Sequence, residues 1–299
     1  YDMSLNLPRD SESAKSLNVI NTYYDPGILY PVHIVLSTSS KTQDMVSKIG
    51  SLSCVSNVIV KEGTNGRVVD VYMSVNPVSH EGVDCASQIR KTAHMVDSGS
   101  LVGGMSPVYL DLTNLINDEF YHRVYPVAII LMFITLLAAY GGVATALSAV
   151  IAVVLAAYAG SALAIVIYEN LMGQDVLWFL PVIVFTAILG VGMDYNSFYL
   201  ARAREECEEE CGPGGVVESM VKGTPIIIGL ATIMAGAYIG LAATSTPGLS
   251  EMGSALVFGV LLAGLNASIL LTPPVVALMK DKAWWPLKPG GGKDGSEED

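Results

Sequence analysis

The sequence predicts a polytopic α-helical membrane protein with five transmembrane helices behind a small N-terminal α+β head. Three observations predict it. Hydrophobic residues make up 52% of the chain and charged residues 15%, with a mean hydropathy of +0.49, too apolar for an ordinary soluble protein of 299 residues. The charges are unevenly placed, with no Asp, Glu, Lys or Arg from Pro126 to Tyr168. The first 122 residues, in contrast, mix helix-period and strand-period patterns with turn residues between them. The chain starts at Tyr1 rather than Met and shows no secretory signal, so it reads as a piece of a longer polypeptide.

The head comes first in the chain. Ser11–Tyr24 opens on capping residues and carries a helical apolar pattern. Pro31–Thr38 is a strand candidate and Lys41–Leu52 a helix. Cys54–Glu62 and Arg67–Val75 alternate like strands about the turn Gly63–Gly66. His80–Val96 reads as a helix and Ser100–Ser106 as a last short strand. The order β-α-β-β-α-β is the split βαβ, or ferredoxin-like, arrangement. That fold hosts many functions and assigns none by itself. Cys54 and Cys85 could pair if the head faces an oxidising space; reduced, buried thiols are the preferred reading.

Pro107–Pro126 reads as an amphipathic neck helix running into the first span. A membrane span needs about 20 apolar residues, so the charge-free stretch holds two helices, hinged at Gly141-Gly142. Three further spans follow at Val176–Leu200, Gly223–Ala243 and Met252–Met279. The domains are therefore a head at 1–122, a five-helix membrane domain at 123–280 and a tail at 281–299. Loops 169–175 and 244–250 on the head side contain no Lys or Arg. The other side carries Arg202, Arg204, Lys222, Lys280, Lys282, Lys288 and Lys293. Positive residues mark the cytoplasmic side, which predicts a plasma-membrane protein with its head outside and its C-terminus cytoplasmic. Trp284 and Trp285 suit the interfacial belt, and Gly290–Asp299 is too polar and glycine-rich to pack.

One residue breaks the pattern of the spans. Asp194, followed by Tyr195, lies five or six residues to the cytoplasmic side of its span's centre, about 8 Å at 1.5 Å per residue. That depth is inside a hydrocarbon core about 30 Å thick, where an Asp costs about 2.5–3.5 kcal/mol to insert. Burial disfavours the charged form of a carboxylic acid, so such a group can exchange a proton near neutral pH, as a relay requires. Tyr195 adds a phenol that can donate to the carboxylate or hold a water. Gly190 and Gly192 would let a neighbouring helix approach and shield the acid from lipid. The alternative is that Asp194 only pins helices together. Thr232, in the small-residue span Gly223–Gly248, is a possible hydrogen-bond partner of Asp194. Asn196, Ser197 and Tyr199 lie nearer the interface and could simply be wetted, and Asn266 and Ser268 read as packing polars. Pro273-Pro274 would kink or end a helix.

Other functions lack their residues. A net charge of −12 leaves no basic patch for nucleic acid. No nucleophile elbow, phosphate loop or HExxH occurs, so no catalytic residues, cofactor or enzymatic activity are expected. His33, His80, His94 and His122 are scattered through the head and its neck, and Cys207 and Cys211 have no His nearby, so no metal site is expected.

An acid–tyrosine pair in a glycine-rich span, followed by Phe198–Glu206, resembles the MMPL branch of the RND (resistance-nodulation-division) transporter superfamily. Leu7–Leu36 is similar to the segment that opens the extracytoplasmic porter domain there, and Gly103–Pro126 to its return into the membrane. The resemblance covers the chain except its tail and is greatest to a C-terminal repeat. It implies one of two repeats of a transporter that uses the proton motive force to move lipids or other hydrophobic molecules. Asp194 and Tyr195 match the family's relay positions, and the complementary pair belongs to a second repeat, in the same polypeptide or another subunit. Two relatives of the same architecture stand as alternatives. A sterol-sensing-like, lipid-binding or regulatory protein would be indifferent to the proton gradient. A protein-export accessory subunit would take a polypeptide partner.

Overall fold

The computed structural model describes residues 11–63, 66–174, 176–209 and 212–287, which form two compact units divided between His122 and Arg123. The predicted turn residues Thr64 and Asn65, Cys211 and the glycine-rich end of the tail lie outside the described residues.

The first unit begins with α1 (Glu12–Tyr23), started by the Ser11 hydroxyl, which accepts the Ala14 N–H at 3.2 Å. Then come β1 (Val32–Val35), α2 (Thr42–Gly50), β2 (Val55–Gly63), β3 (Gly66–Met73), α3 (His80–Val96) and β4 (Leu101–Gly103). The four strands make one antiparallel sheet in the order β2-β3-β1-β4, the split βαβ topology expected. Because side chains alternate along a strand, the register Val32↔Val71 and Ile34↔Val69 puts these residues on one face. That face packs with Met45 and Ile49 of α2 and Ile89 and Ala93 of α3 into a fully buried core. Cys54 and Cys85 are joined in a disulfide, with Cα atoms 6.0 Å apart, which corrects the preference for reduced thiols. The cross-link ties the start of β2 to α3 and closes a loop whose entropy in the unfolded chain is worth about 3–4 kcal/mol.

Two carboxylates brace the head. Asp97, just past α3, accepts the Ser37 hydroxyl at 2.6 Å, the Ser37 N–H at 2.9 Å and the Lys41 ammonium at 3.1 Å. The Ser37 hydroxyl, with the other donors, holds the Asp97 carboxyl far below the usual carboxylate range against the opposing effect of burial. Asp70 lies on the other face of the sheet between His33 at 2.7 Å and Lys61 at 2.6 Å. Its burial raises the pKa, but these two partners together lower it below the usual value, and Lys61 is raised in turn.

A helix α4 (Met105–Leu115) follows, held to α3 by the Arg90 guanidinium on Asp111 and on the Pro107 carbonyl. A π-helical stretch, Ile116–Val124, leads into α5 (Tyr125–Tyr140).

The second unit contains α5, α6 (Val143–Ile165), α7 (Leu180–Glu209), α8 (Pro213–Ala242), α9 (Pro247–Leu265) and α10 (Thr272–Met279). Among the described residues five helical segments are long and apolar enough to cross a membrane: Met105–Tyr140, Val143–Leu171, Leu180–Glu208, Pro213–Ala242 and Pro247–Trp284. Gly141 ends α5 at φ +75°, and a side chain there would meet Leu287, so the predicted hinge requires glycine twice over. The last span is broken. A π-helical turn at Asn266–Leu270 runs into Leu271, and α10 restarts with Pro273 and Pro274 in its first turn, where no N–H is lost.

The C-terminal residues up to Leu287 are structured. A 3₁₀ turn, Lys280–Trp284, brings the chain back to the α5–α6 corner, where the Val143 N–H donates to the Trp285 carbonyl at 2.9 Å. The Leu287 N–H donates to the Gly141 carbonyl at 3.2 Å. Trp284 is completely buried instead of sitting in an interfacial belt, whereas Trp285 is 63% exposed. The difference is positional: the 3₁₀ turn aims Trp284 inward, beside Val216 and Val276.

Candidate functional site

The acid–tyrosine pair lies halfway along α7. Successive residues of an α-helix project about 100° apart, so neighbours in sequence face different surroundings. Asp194 is exposed, and Tyr195 is buried at 3% exposure. Among the described residues Asp194 has no hydrogen-bond or ion-pair partner. The Tyr195 hydroxyl is buried and likewise lacks a hydrogen-bond partner among them. Its ionisable neighbours are Tyr238 of α8 and Asp194 itself.

The two glycines separate in the same way. Gly192 is buried, and a β-carbon there would lie 3.0 Å from the Val153 side chain of α6 and 3.5 Å from Ala263 of α9. It therefore permits tight packing of α7. Gly190 faces open space, with nothing within 4 Å of such a carbon, so among the described residues it packs against no neighbouring helix. Two residues along an α-helix turn the direction by about 200°, which puts the pair on opposite sides. Gly190, Asp194 and Phe198 form an exposed row spaced by four residues. Thr232 is not joined to Asp194. It is exposed, and its hydroxyl donates to the Ile228 carbonyl of its own helix at 2.7 Å.

The polar residues behind the pair are more deeply engaged than their sequence positions suggest. Asn196 and Tyr199 are fully buried rather than wetted. The Asn196 amide donates to the Gly192 carbonyl at 2.8 Å and accepts the Thr272 hydroxyl at 2.8 Å. That bond fastens the break in the last span to the helix bearing Asp194. The Ser219 hydroxyl donates to Tyr199 at 3.4 Å, and Asn266 donates to the Ala152 carbonyl at 3.1 Å. At the exit of α7, Glu206 is 7% exposed and ion-paired with Arg202 and with Lys222 of α8, both at 2.9 Å. Glu251, between the predicted loop 244–250 and the predicted span Met252–Met279, is fully buried in the first turns of α9 and accepts the Leu177 N–H at 3.1 Å. Tyr168 meets Ser250 at 2.8 Å and Ser254 at 3.0 Å nearby. The four-residue spacing of Gly192 and Asn196 was the available signal for a side chain turned back on its own helix.

The arrangement presents an ionisable acid on the outer surface of a membrane-spanning unit, backed by a buried phenol and by the separate buried hydrogen bonds of Asn196 with Thr272 and of Tyr199 with Ser219. The comparisons with known proteins agree on its kind. The profile of the MMPL family matches residues 35–293. Putative membrane protein YdgH of Bacillus subtilis (strain 168) is 28% identical over 284 residues, covering 92% of this chain and 30% of its own. The siderophore exporter MmpL5 of Mycobacterium tuberculosis (strain CDC 1551 / Oshkosh) is 25% identical over 219 residues, covering 71% of this chain and 22% of its own. The sulfolipid-1 exporter MmpL8 of Mycobacterium tuberculosis (strain ATCC 25618 / H37Rv) is 22% identical over 222 residues, covering 72% and 20%. The chain thus spans less than a third of the length of each of these three relatives. With five apolar spans and a match over most of its length, the chain is a multi-pass membrane protein and belongs to the MMPL family.

Proposed function

We propose that this chain is one repeat of a proton-motive-force-driven transporter that exports lipids or other hydrophobic molecules. Asp194 and Tyr195 serve as half of its intramembrane proton relay. The observation that carries the reading is the exposure of Asp194 on a helix long and apolar enough to span a membrane, without a partner among the described residues. A carboxylate left in that position faces lipid at a cost of about 2.5–3.5 kcal/mol unless another protein surface covers it. A second repeat, in the same polypeptide or in another subunit, supplies that surface and the complementary acid. Protonation of Asp194 then removes a charge from the contact between repeats and shifts its packing, while Asn196 and Thr272 tie α7 to the break in the last span. Residues 1–122 act as an extracytoplasmic porter-like domain, and residues 281–299 lie in the cytoplasm. The relative named as a sulfolipid-1 exporter supports a lipid cargo.

The test is Asp194→Asn in the full-length protein, reconstituted into proteoliposomes with an imposed pH gradient and an internal pH-sensitive dye. Gradient-dependent proton uptake is expected to fall to background in Asp194→Asn and to persist in Asp194→Glu. Uptake unchanged in Asp194→Asn would sink the relay.

A further inference from the structure

A groove of about 530 Å³ runs between the start of α6 and the last span, at the end of the membrane unit where the C-terminal residues fold back. Its size is in the range of small-molecule sites, about 300–1,000 Å³. Leu147 and Ile151 of α6 form one wall, and Val275 and Met279 of α10 form the other. The break at Leu271 redirects α10, and the two backbone hydrogen bonds that pin Trp285 and Leu287 to the α5–α6 corner hold the end of the groove in place. Ser148 reaches the groove, but its hydroxyl donates to the Thr145 carbonyl at 2.8 Å.

Only the rim is charged. Lys282 lines it beside Trp285, and among the described residues Lys282 has no ion-pair partner. Its neighbour Asp281 is exposed and does not line the groove, and Lys280 lines a separate small recess with Trp284. An ammonium without an ion-pair partner among the described residues, beside an exposed indole at the mouth of an apolar groove, complements an anionic head group with a hydrocarbon chain behind it.

We propose that this groove binds one anionic glycerophospholipid, with an acyl chain along Leu147, Ile151, Val275 and Met279 and its phosphate on Lys282. The site is independent of the Asp194 relay and serves to brace the broken last span against α6. In the test, the full-length protein is placed in nanodiscs of phosphatidylcholine containing graded phosphatidylglycerol, and retained lipid is counted by native mass spectrometry. Wild-type protein is expected to retain phosphatidylglycerol over phosphatidylcholine. Lys282→Ala should cut that preference by about fivefold, the worth of one basic residue at an anionic surface, and Lys282→Arg should keep it. Ala144→Trp, which fills the groove, should lower retention of both lipids. Equal retention of the two lipids by the wild type, or a preference unchanged in Lys282→Ala, would overturn the proposal. So would displacement of the lipid by millimolar inorganic phosphate, which would mark a head-group site without a chain. Should Ala144→Trp aggregate, the two lysine variants alter only the rim and decide the matter.

Discussion

The sheet core of the head and the packed face of α6 bury side chains of different size. In the head the sheet and its helices enclose Ile34, Met45, Ile49, Val69, Met73 and Ile89. In α6 the buried residues are mostly small, Ala146, Ala149, Ala152, Ala156, Gly160 and Ala164 with Ser148 and Ser161 among them, and Val150 and Val153 are the larger exceptions. The large residues of α6, Leu147, Ile151, Leu155 and Leu163, point outward. Water drives large apolar groups inward, which makes the head's core large and aliphatic. Lipid tails are as apolar as leucine, so hydrophobicity no longer sorts inside from outside in the membrane, and small residues that let backbones approach take the contacts. At one crossing a β-carbon on Gly160 would lie 2.7 Å from the Gly259 backbone of α9. A large aliphatic residue on the outward face of α6 therefore carries less of the fold than one in the core of the head.

The largest expected effect lies at that crossing. Gly160→Leu has no room against Gly259 and should abolish folded, monodisperse full-length protein in size-exclusion chromatography, although it makes the chain more apolar. The contrast is then sharpened by two matched truncations. Ile34→Ala removes a fully buried core residue and should cost about 2–5 kcal/mol in denaturant unfolding. Leu155→Ala, on a residue that is 49% exposed, should change stability by no more than about 0.5 kcal/mol. Equal costs for the two would break the comparison.

The smallest expected effect concerns pH and belongs to the head alone. The Asp97 carboxyl titrates lower folded than unfolded, so its contribution is fully present above the unfolded value, about pH 3.9, and fades as the pH falls through the folded one. Hydrogen exchange of β1 and the end of α3 in the full-length protein should stay slow down to about pH 4. Asp97→Asn should speed it at neutral pH and remove the acid dependence. An unchanged acid limb in that variant would take the role away from Asp97.

Much of this was legible in the residues because each relevant signal was local. Alternation in Cys54–Glu62 and Arg67–Val75, the Ser11 cap and the Gly141 hinge depend on neighbours a few positions away, and the elements appear where those signals stand. The errors all concern partners distant in sequence. Trp284 was placed by composition at an interface, but the return of the chain to Gly141 buries it. Asn196 looked wetted because its depth was counted along one helix, and Thr272 meets it from 76 positions away. Thr232 and Gly190 were grouped with Asp194 by residue type, but the rotation of α7 and α8 turns Thr232 to its own backbone and Gly190 to open space.

The sequence by itself determined the five spans, the split βαβ head and the isolated acid, because hydropathy and periodicity act along the chain. Only the tertiary structure decided that Asp194 faces outward while Tyr195 and Asn196 face in. Adjacent residues share a depth in the membrane but not a direction, and direction depends on which helices pack against which side.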